Sequence, residues 1–249
     1  MKIAILNEKG GVGKTTTTAT LGHALARRGK RVLVVDLDPQ ANLTAWIGGE
    51  APRASVANAL ADRHTAREAI APSTAAGVDL MYGSRATHDA ADDLRASSHA
   101  PALALRRALR DLEYDVILLD CPPGIGTLTV NALCVAEVVM VPIDSQAMAL
   151  TGLHEVRQTL NELAEAEIIV LRPKVLSLVT RYDRRLALAR EVRDHLRTED
   201  EAVPLTTTIR LSTRLAECFG HAKTIFDYAP SAAVAADYDE LADEVSRER

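Results

Sequence analysis

Five short runs rich in valine, isoleucine and leucine constrain the fold of this chain more than any other feature. The runs occupy residues 2–6, 32–36, 116–120, 138–142 and 175–179. They are apolar at consecutive positions rather than at alternate ones, which is typical of strands buried on both faces of a parallel sheet. Helix-like segments occupy residues 14–28, 101–112, 148–166 and 185–197. This order predicts an α/β fold, with a doubly wound, mostly parallel sheet flanked by helices.

The whole chain, residues 1–249, is predicted to form one domain, since its hydrophobic fraction of 47% is ample for a core. Residues 50–100 are richer in Ala, Ser, Thr and Asp, and we interpret them as an insertion of short helices and turns within that domain. Residues 231–249 predict a final amphipathic helix that packs back on the sheet.

Composition excludes some classes of protein. The apolar runs are much shorter than the ~18 residues of a membrane span, and strand-like sequence begins at Lys2, so we expect neither a membrane segment nor a signal peptide. Cys121, Cys134 and Cys218 are too widely spaced for a metal clip or a disulfide framework and indicate a reducing, cytoplasmic environment. The net charge of -5 means that nucleic acid would need a local basic patch or a dimer.

A glycine-rich segment, EKGGVGKTT at residues 8–16, lies between the first strand and the first helix. Glycines permit close backbone approach to phosphate, and the free amides and positive end of a helix attract it. Lys14 would reach the β- and γ-phosphates, and the Thr15 hydroxyl would ligate Mg²⁺. The segment therefore predicts an ATP–Mg²⁺ site formed by Lys9, Gly10, Gly11, Val12, Gly13, Lys14, Thr15 and Thr16.

Two positions of this segment are unusual. Glu8 stands where the common P-loop pattern has glycine, although the core GGxGKT is highly specific. Lys9 is a second lysine ahead of the glycines, and one subunit does not need it to hold phosphates. It suggests an ATP shared across a dimer, whereas a solvated loop lysine is the alternative interpretation.

Three aspartates follow strands and are expected to face the phosphate loop, because ligands bind at the carboxyl ends of strands in open α/β sheets. Asp120 ends the run DVILLD and is predicted to hold Mg²⁺ through its water shell. Asp36 and Asp38 alternate along an extended segment, so we assign them different roles. Asp36 is assigned to Mg²⁺ hydration and Asp38 to orienting the attacking water, with loop capping as the alternative for either.

These residues resemble the ParA/Soj-type partition ATPases of the deviant Walker A group, which also includes MinD. The resemblance runs through NEKGGVGKTTTTATLGHALARRGKRVLVVDLDPQANLT, DVILLDCPPGIGTLTVNAL and VPIDSQAMALTGL, and it weakens after residue 180. It implies a P-loop ATPase that forms a homodimer around ATP, with Lys9 contacting the partner's nucleotide, Lys14 and Thr15 on phosphate and Mg²⁺, and Asp38 governing hydrolysis.

The resemblance also implies partners. Such a dimer binds double-stranded DNA without sequence preference and associates with the nucleoid, and a ParB-type centromere-binding protein stimulates hydrolysis. The family's DNA-contacting arginines align with Arg185 and Arg210, and arginine on phosphate suits sequence-independent binding. A solvated basic helix face is the alternative. Family segments near adenine differ here, at residues 205–208 and 220–224, so the adenine contacts are left unassigned.

Three other functions share the phosphate site. A MinD-like ATPase would need a basic C-terminal helix for the membrane, but this chain ends ADYDELADEVSRER, so we expect no membrane partner. An electron-transferring relative of the nitrogenase iron protein would need two cluster-binding cysteines per subunit, whereas Cys121 is interpreted as a core residue. A ParA-like positioner of a protein cargo on the nucleoid stays open, because its sequence would look the same.

Overall fold

A computed structural model describes residues 1–96, 101–145, 151–169, 171–198 and 202–248. Within these ranges the chain alternates strands and helices. The strands are β1 (Lys2–Ile5), β2 (Val32–Asp36), β3 (Ile70–Pro72), β4 (Val78–Met81), β5 (Val116–Asp120), β6 (Val138–Asp144), β7 (Lys174–Tyr182) and β8 (Val203–Arg210). The α-helices are α1 (Lys14–Ala26), α2 (Asn42–Ile47), α3 (Val56–Ala61), α4 (Ala86–Ala96), α5 (Ala104–Ala108), α6 (Thr127–Leu133), α7 (Thr151–Glu165), α8 (Ala187–Leu196), α9 (Thr213–Glu217), α10 (Ile225–Tyr228) and α11 (Ala233–Ser246). Short 3₁₀ helices occupy Arg63–Ala69, Pro101–Leu103 and Cys218–His221.

The strands form one sheet in the order β3-β4-β2-β5-β1-β6-β7-β8, and every neighbouring pair except β3 and β4 is parallel. This confirms the predicted fold class, and each of the five apolar runs lies in a strand to within one residue. Strand β1 is central, between β5 and β6. The segments that follow β1, β2 and β5 therefore emerge at one edge of the sheet, where ligands bind in this architecture.

Each face of the sheet has its own hydrophobic core. Along β1, Ile3 and Ile5 face the cluster that includes α1, α2 and α11, whereas Ala4 faces the cluster that includes α3 and α5 to α7. Successive side chains of a strand point to opposite faces, so a run that is apolar at every position contributes to both cores. Each fully buried Ile or Leu stabilises the fold by about 1.5–3 kcal/mol.

The segment interpreted as an insertion, residues 50–100, was predicted only in part. It contains α3 and α4, but it also contributes β3 and β4, which extend the sheet beyond β2. The predicted helix at 101–112 is shorter, with a 3₁₀ turn followed by α5. Residues 97–100 of the predicted insertion and 148–150 of the predicted helix 148–166 lie outside the described residues.

The free edge of β8 is covered by acidic side chains of α11. Glu244 accepts hydrogen bonds from the backbone N–H groups of Thr206 (2.6 Å) and Thr207 (3.0 Å), and Asp237 accepts one from Arg210 (3.0 Å). Burial raises the pKa of Glu244, but the hydrogen bonds from Thr206 and Thr207 outweigh burial and lower the pKa overall. These contacts satisfy amides that an edge strand would otherwise leave unpaired. The final helix, α11, is therefore held against the sheet by its acidic side chains as well as by its apolar face.

Candidate functional site: a phosphate loop facing three buried aspartates

The phosphate loop joins β1 to α1 through glycines in a left-handed conformation. Gly11 has φ of 76° and Gly13 has φ of 93°, and a Cβ on either would meet no atom within 4 Å. Backbone conformation rather than crowding therefore requires glycine at both positions. Helix α1 begins at Lys14, with Gly13 at its N-cap and no side-chain cap. Its first amides are consequently free to bind an anion.

Asn7 holds the start of this loop in place. Its side-chain Nδ2 donates to the Pro142 carbonyl at 2.8 Å, and its Oδ1 accepts from the Lys9 backbone N–H at 2.9 Å. On the other side, a Cβ added to Gly152 of α7 would lie 2.3 Å from Asn7 Oδ1. Strand β6, helix α7 and the phosphate loop thus meet at one buried amide. No sequence pattern singles out Asn7 or Gly152, because both contacts are long-range.

Lys14 is buried within the loop that it is predicted to serve. Its Nζ donates to the carbonyls of Asn7 (3.1 Å) and Lys9 (3.0 Å). Burial lowers the pKa of Lys14, and the Asp120 carboxylate offsets this in part. A phosphate entering the loop would offer this ammonium oxygen acceptors of opposite charge. By contrast, the Lys9 side chain is exposed, so both interpretations of Lys9 stay open.

Asp120 lies fully buried at the end of β5. Its Oδ1 accepts a hydrogen bond from Thr18 Oγ1 at 3.1 Å, while its buried Oδ2 has no partner among the described residues. Burial and the neighbouring Asp36 carboxylate raise the pKa of Asp120 well above its usual value, although the hydrogen bond from Thr18 lowers it in part. A buried carboxylate oxygen without a donor, beside a threonine hydroxyl, suits an oxygen-binding dication such as Mg²⁺. The residues present therefore fit this metal.

Asp36 and Asp38 have different surroundings, although both lie near the loop. Asp36 is fully buried, and its carboxylate accepts hydrogen bonds from the Asp38 N–H (3.2 Å), the Thr44 N–H (2.8 Å) and the Thr44 hydroxyl (2.7 Å). Burial raises the pKa of Asp36 to about 6. Through these bonds Asp36 fastens the segment after β2 to α2, while its role in Mg²⁺ hydration and the capping alternative both stay predictions. Asp38 instead lines the cavity beside the phosphate loop.

A cavity of about 1130 Å³ opens over the phosphate loop. It is lined by Gly10, Gly11, Gly13, Lys14, Thr15, Thr16 and Asp38 of the predicted site. It is also lined by residues that sequence reasoning missed, namely Trp46 of α2, Arg85 and His88 near the start of α4, and Phe219. The rings of Trp46 and Phe219 lie 6.3 Å apart, and Trp46 Nε1 donates to the Lys223 carbonyl at 3.0 Å. Aromatic residues so far apart along the chain share no common signal in a sequence.

The two predicted DNA-binding arginines lie on adjacent segments at the same edge of the sheet. Arg185 follows β7, and its exposed side chain pairs with Asp183 at 2.7 Å. Arg210 ends β8, where it is the register partner of Tyr182. Its guanidinium makes two hydrogen bonds to Asp237, at 2.8 and 2.6 Å, and the Asp237 side chain is only 6% exposed. Arg210 is thus half of an ion pair with a buried carboxylate.

The described residues contain no cluster of three or more His, Cys, Asp or Glu side chains able to hold a metal by themselves. In the same ranges, none of the helices combines the length and the apolar character needed to cross a bilayer.

Comparison with known proteins places these features in context. A family model described as an AAA domain matches residues 1–173. The chromosome-partitioning ATPase Soj of Thermus thermophilus is 40% identical over 98% of this chain and 94% of its own length. The sporulation initiation inhibitor protein Soj of Bacillus subtilis is 35% identical over 98% and 97%, respectively. A structure of cobyrinic acid a,c-diamide synthase from Mycobacterium smegmatis, with bound ATP analog and magnesium, has a TM-score of 0.83 at 30% identity, covering 99% of this chain and 94% of its own.

Proposed function

Because the chain belongs to the ParA/Soj family of partitioning ATPases, we propose that it segregates plasmid or chromosomal DNA as an ATP-dependent, DNA-binding homodimer. It hydrolyses ATP with Mg²⁺. The observation that carries the proposal is the meeting of the phosphate loop and Asp38 at one cavity, with Asp120 buried against Thr18 of the helix that follows the loop, in a chain similar to Soj over nearly its whole length. The whole chain, residues 1–249, would act as one unit in the cytoplasm, bound to the nucleoid and stimulated by a ParB-type partner.

The site residues divide the chemistry among them. Free amides of residues 10–16 and the Lys14 ammonium would bind the phosphates and neutralise charge that develops during transfer. The Thr15 hydroxyl and the Asp120 carboxylate would hold Mg²⁺, which supplies charge neutralisation between the β- and γ-phosphates. Asp38, which lines the cavity, would orient the attacking water. Lys9 is exposed and would contact the nucleotide of the partner subunit.

Asp36 enters this scheme with a modified role. We propose that it supports Mg²⁺ hydration only indirectly, since all of its described hydrogen bonds tie the segment after β2 to the start of α2. Through the Asp38 N–H it would set the position of the next carboxylate. A residue of this kind acts by orienting groups that touch the substrate.

DNA is the proposed binding partner because Arg185 and Arg210 lie at the same end of the strands as the phosphate loop. The Arg185 side chain is 84% exposed, so water reaches its ion pair with Asp183, whose own side chain is 16% exposed, and pairs reached by water contribute little to stability. A DNA phosphate could therefore replace Asp183 at low cost.

A membrane partner is disfavoured, because Tyr238, Leu241 and Val245 of the final helix are buried in the core instead of facing solvent.

The test is fluorescence anisotropy of a random-sequence duplex, titrated with protein in the presence of ADP or ATP–Mg²⁺ at several salt concentrations. We expect binding only with ATP, and a salt dependence that becomes shallower by about 0.9 in log–log slope in Arg185→Ala. Arg31→Ala is the matched control, because Arg31 is also an exposed arginine with a weak aspartate partner (Asp115, 3.8 Å) but precedes β2 at the opposite edge. Absence of DNA binding in every nucleotide state at low salt would refute the proposal.

A further inference from the structure

Strand β7 is joined to the phosphate loop by one buried side chain. Thr180 is 3% exposed, and its hydroxyl donates a hydrogen bond to the Val12 carbonyl at 2.8 Å. Val12 is itself 2% exposed and belongs to the phosphate loop. The bond therefore connects the loop that would bind phosphate with a strand that lies two positions away from β1 in the sheet.

The direction of this bond has a consequence for the phosphate site. The Val12 carbonyl and the Gly13 N–H belong to the same planar, trans peptide unit, in which the two groups point in opposite directions. By holding the carbonyl toward β7, Thr180 fixes the Gly13 N–H away from the strand. A phosphate that accepts a hydrogen bond from the Gly13 N–H would polarise the peptide and strengthen the Thr180 bond, and the reverse also holds. The two contacts are thus cooperative.

Strand β7 becomes irregular immediately after Thr180, before it ends at Tyr182. Arg181 adopts a left-handed φ of 52°, and its carbonyl accepts a hydrogen bond from Ser145 Oγ at 3.2 Å. The next carbonyl, of Tyr182, accepts from the Leu211 N–H at 3.1 Å. The turn 181–185 therefore comprises the tethered, irregular end of β7 and the bend that follows it. A left-handed arginine is strained, so the turn's conformation depends on these tethers.

We propose that Thr180 is a positioning residue that couples occupancy of the phosphate loop to the conformation of the turn 181–185, which carries Arg184 and Arg185. Nucleotide binding strengthens the hydrogen bond from Thr180 to the Val12 carbonyl. The turn 181–185 then becomes ordered in the conformation that the hydrogen bonds from Ser145, after β6, and Leu211, after β8, support. The link from the turn to DNA rests on the proposed function, whereas the link from Thr180 to nucleotide does not. Coupling is reciprocal, so DNA on the turn would also favour the nucleotide.

The test compares Thr180→Val, which keeps the shape and removes the donor, with Thr180→Ser, which keeps the donor. Removing one partner leaves the buried Val12 carbonyl unsatisfied. For Thr180→Val we expect ADP and a non-hydrolysable ATP analogue to bind about three- to tenfold more weakly. We also expect the KM for ATP to rise with kcat changed less than about twofold. Nucleotide-induced protection of the amides of residues 181–185 from hydrogen exchange should be lost, and Thr180→Ser should restore each property.

A parallel measurement addresses DNA. The ratio of DNA affinities with ATP and with ADP should fall at least about fivefold in Thr180→Val. Wild-type nucleotide affinity together with wild-type protection of residues 181–185 in Thr180→Val would overturn the inference. If the wild-type protein bound no DNA in any state, the proposed function would fall, while nucleotide affinity and hydrogen exchange would still decide the role of Thr180. Should Thr180→Val fail to fold, Thr180→Ala carries the same expectations.

Discussion

Replacing Arg210 by alanine should destabilise the fold, although its side chain is half exposed. The change removes two charge-assisted hydrogen bonds, of 2.8 and 2.6 Å, and leaves the Asp237 carboxylate 6% exposed without its partner. Breaking a buried pair in this way costs about 3–5 kcal/mol, and a hydrogen bond to a charged group is worth about 1.5–3 kcal/mol. Since water reaches Arg210, which is 51% exposed, we expect a lower cost, about 2–3 kcal/mol.

The assay is urea unfolding of the wild type, Arg210→Ala, Asp237→Asn and the double variant. Asp237→Asn removes the charge but can still accept from the Arg210 backbone N–H, so its cost should be about 1–2 kcal/mol. The double variant should be about as stable as Arg210→Ala alone, which gives a coupling of at least about 1 kcal/mol. Arg185→Ala is the control and should leave the unfolding midpoint unchanged, because its pair is exposed. Additive effects, or a loss below about 0.5 kcal/mol in Arg210→Ala, would refute this reasoning.

The stability of Arg210→Ala also determines which variant can be used to test DNA binding. An Arg210→Ala protein that is partly unfolded would lose DNA for reasons unrelated to contact. Asp237→Asn removes the negative partner while leaving Arg210 in place. If Arg210 contacts phosphate, Asp237→Asn should bind DNA more tightly, with a steeper salt dependence.

Four further outcomes are expected. Lys14→Ala should lower ATP turnover by about 100-fold or more, measured as phosphate release, because it removes a cation aimed at developing charge. Gly152→Ala should weaken nucleotide binding in calorimetry, because its Cβ would displace Asn7, which bonds the start of the loop. Trp46, the single tryptophan, lines the cavity, so nucleotide should change the intrinsic fluorescence and Trp46→Phe should abolish the signal. Glu244 has a lowered pKa in the fold. Its stabilising effect should therefore be complete above its unfolded value of 4.5 and disappear as the pH falls through the folded pKa, and Glu244→Gln should flatten that part of the urea stability profile.

The strands that could be predicted from the sequence are those buried on both faces. Runs such as VLVVD of β2 are buried at every position, and continuous apolar sequence reports that environment directly. Strand β8, with the sequence VPLTTTIR, alternates between buried and exposed positions and contains a proline. Strands β3 and β4 are only three and four residues long. Strands β3 and β8 lie at the two edges of the sheet, where half-solvent surroundings weaken the apolar signal, and β4 is too short to give a clear one, so these three strands required the structure.

The phosphate loop was predictable because its chemistry is local. Nine consecutive residues contain the glycines, the lysine and the threonines, and the strand before them and the helix after them fix their geometry. The groups that position the loop are not local. Asn7 depends on Pro142 and Gly152, and Val12 depends on Thr180. No pattern in one sequence connects residues 135 or 168 positions apart, although these contacts orient the groups that the motif supplies.

The alignment names Arg185 and Arg210 as candidate DNA contacts, but it does not show whether either guanidinium is free to bind a phosphate. Asp183, the partner of Arg185, lies two residues away in the same exposed turn, so the pair is visible in the sequence and easily exchanged for a phosphate. Arg185 holds the pKa of Asp183 below its usual value, and DNA would have to take over only that exposed contact. Asp237, the partner of Arg210, lies 27 residues further on and is buried by the packing of α11 on β8. A phosphate that captured Arg210 would leave a carboxylate uncompensated in the core. Binding energy from Arg185 is therefore available to DNA with little loss, whereas Arg210 can contribute only if a phosphate contact offsets the cost of separating it from Asp237.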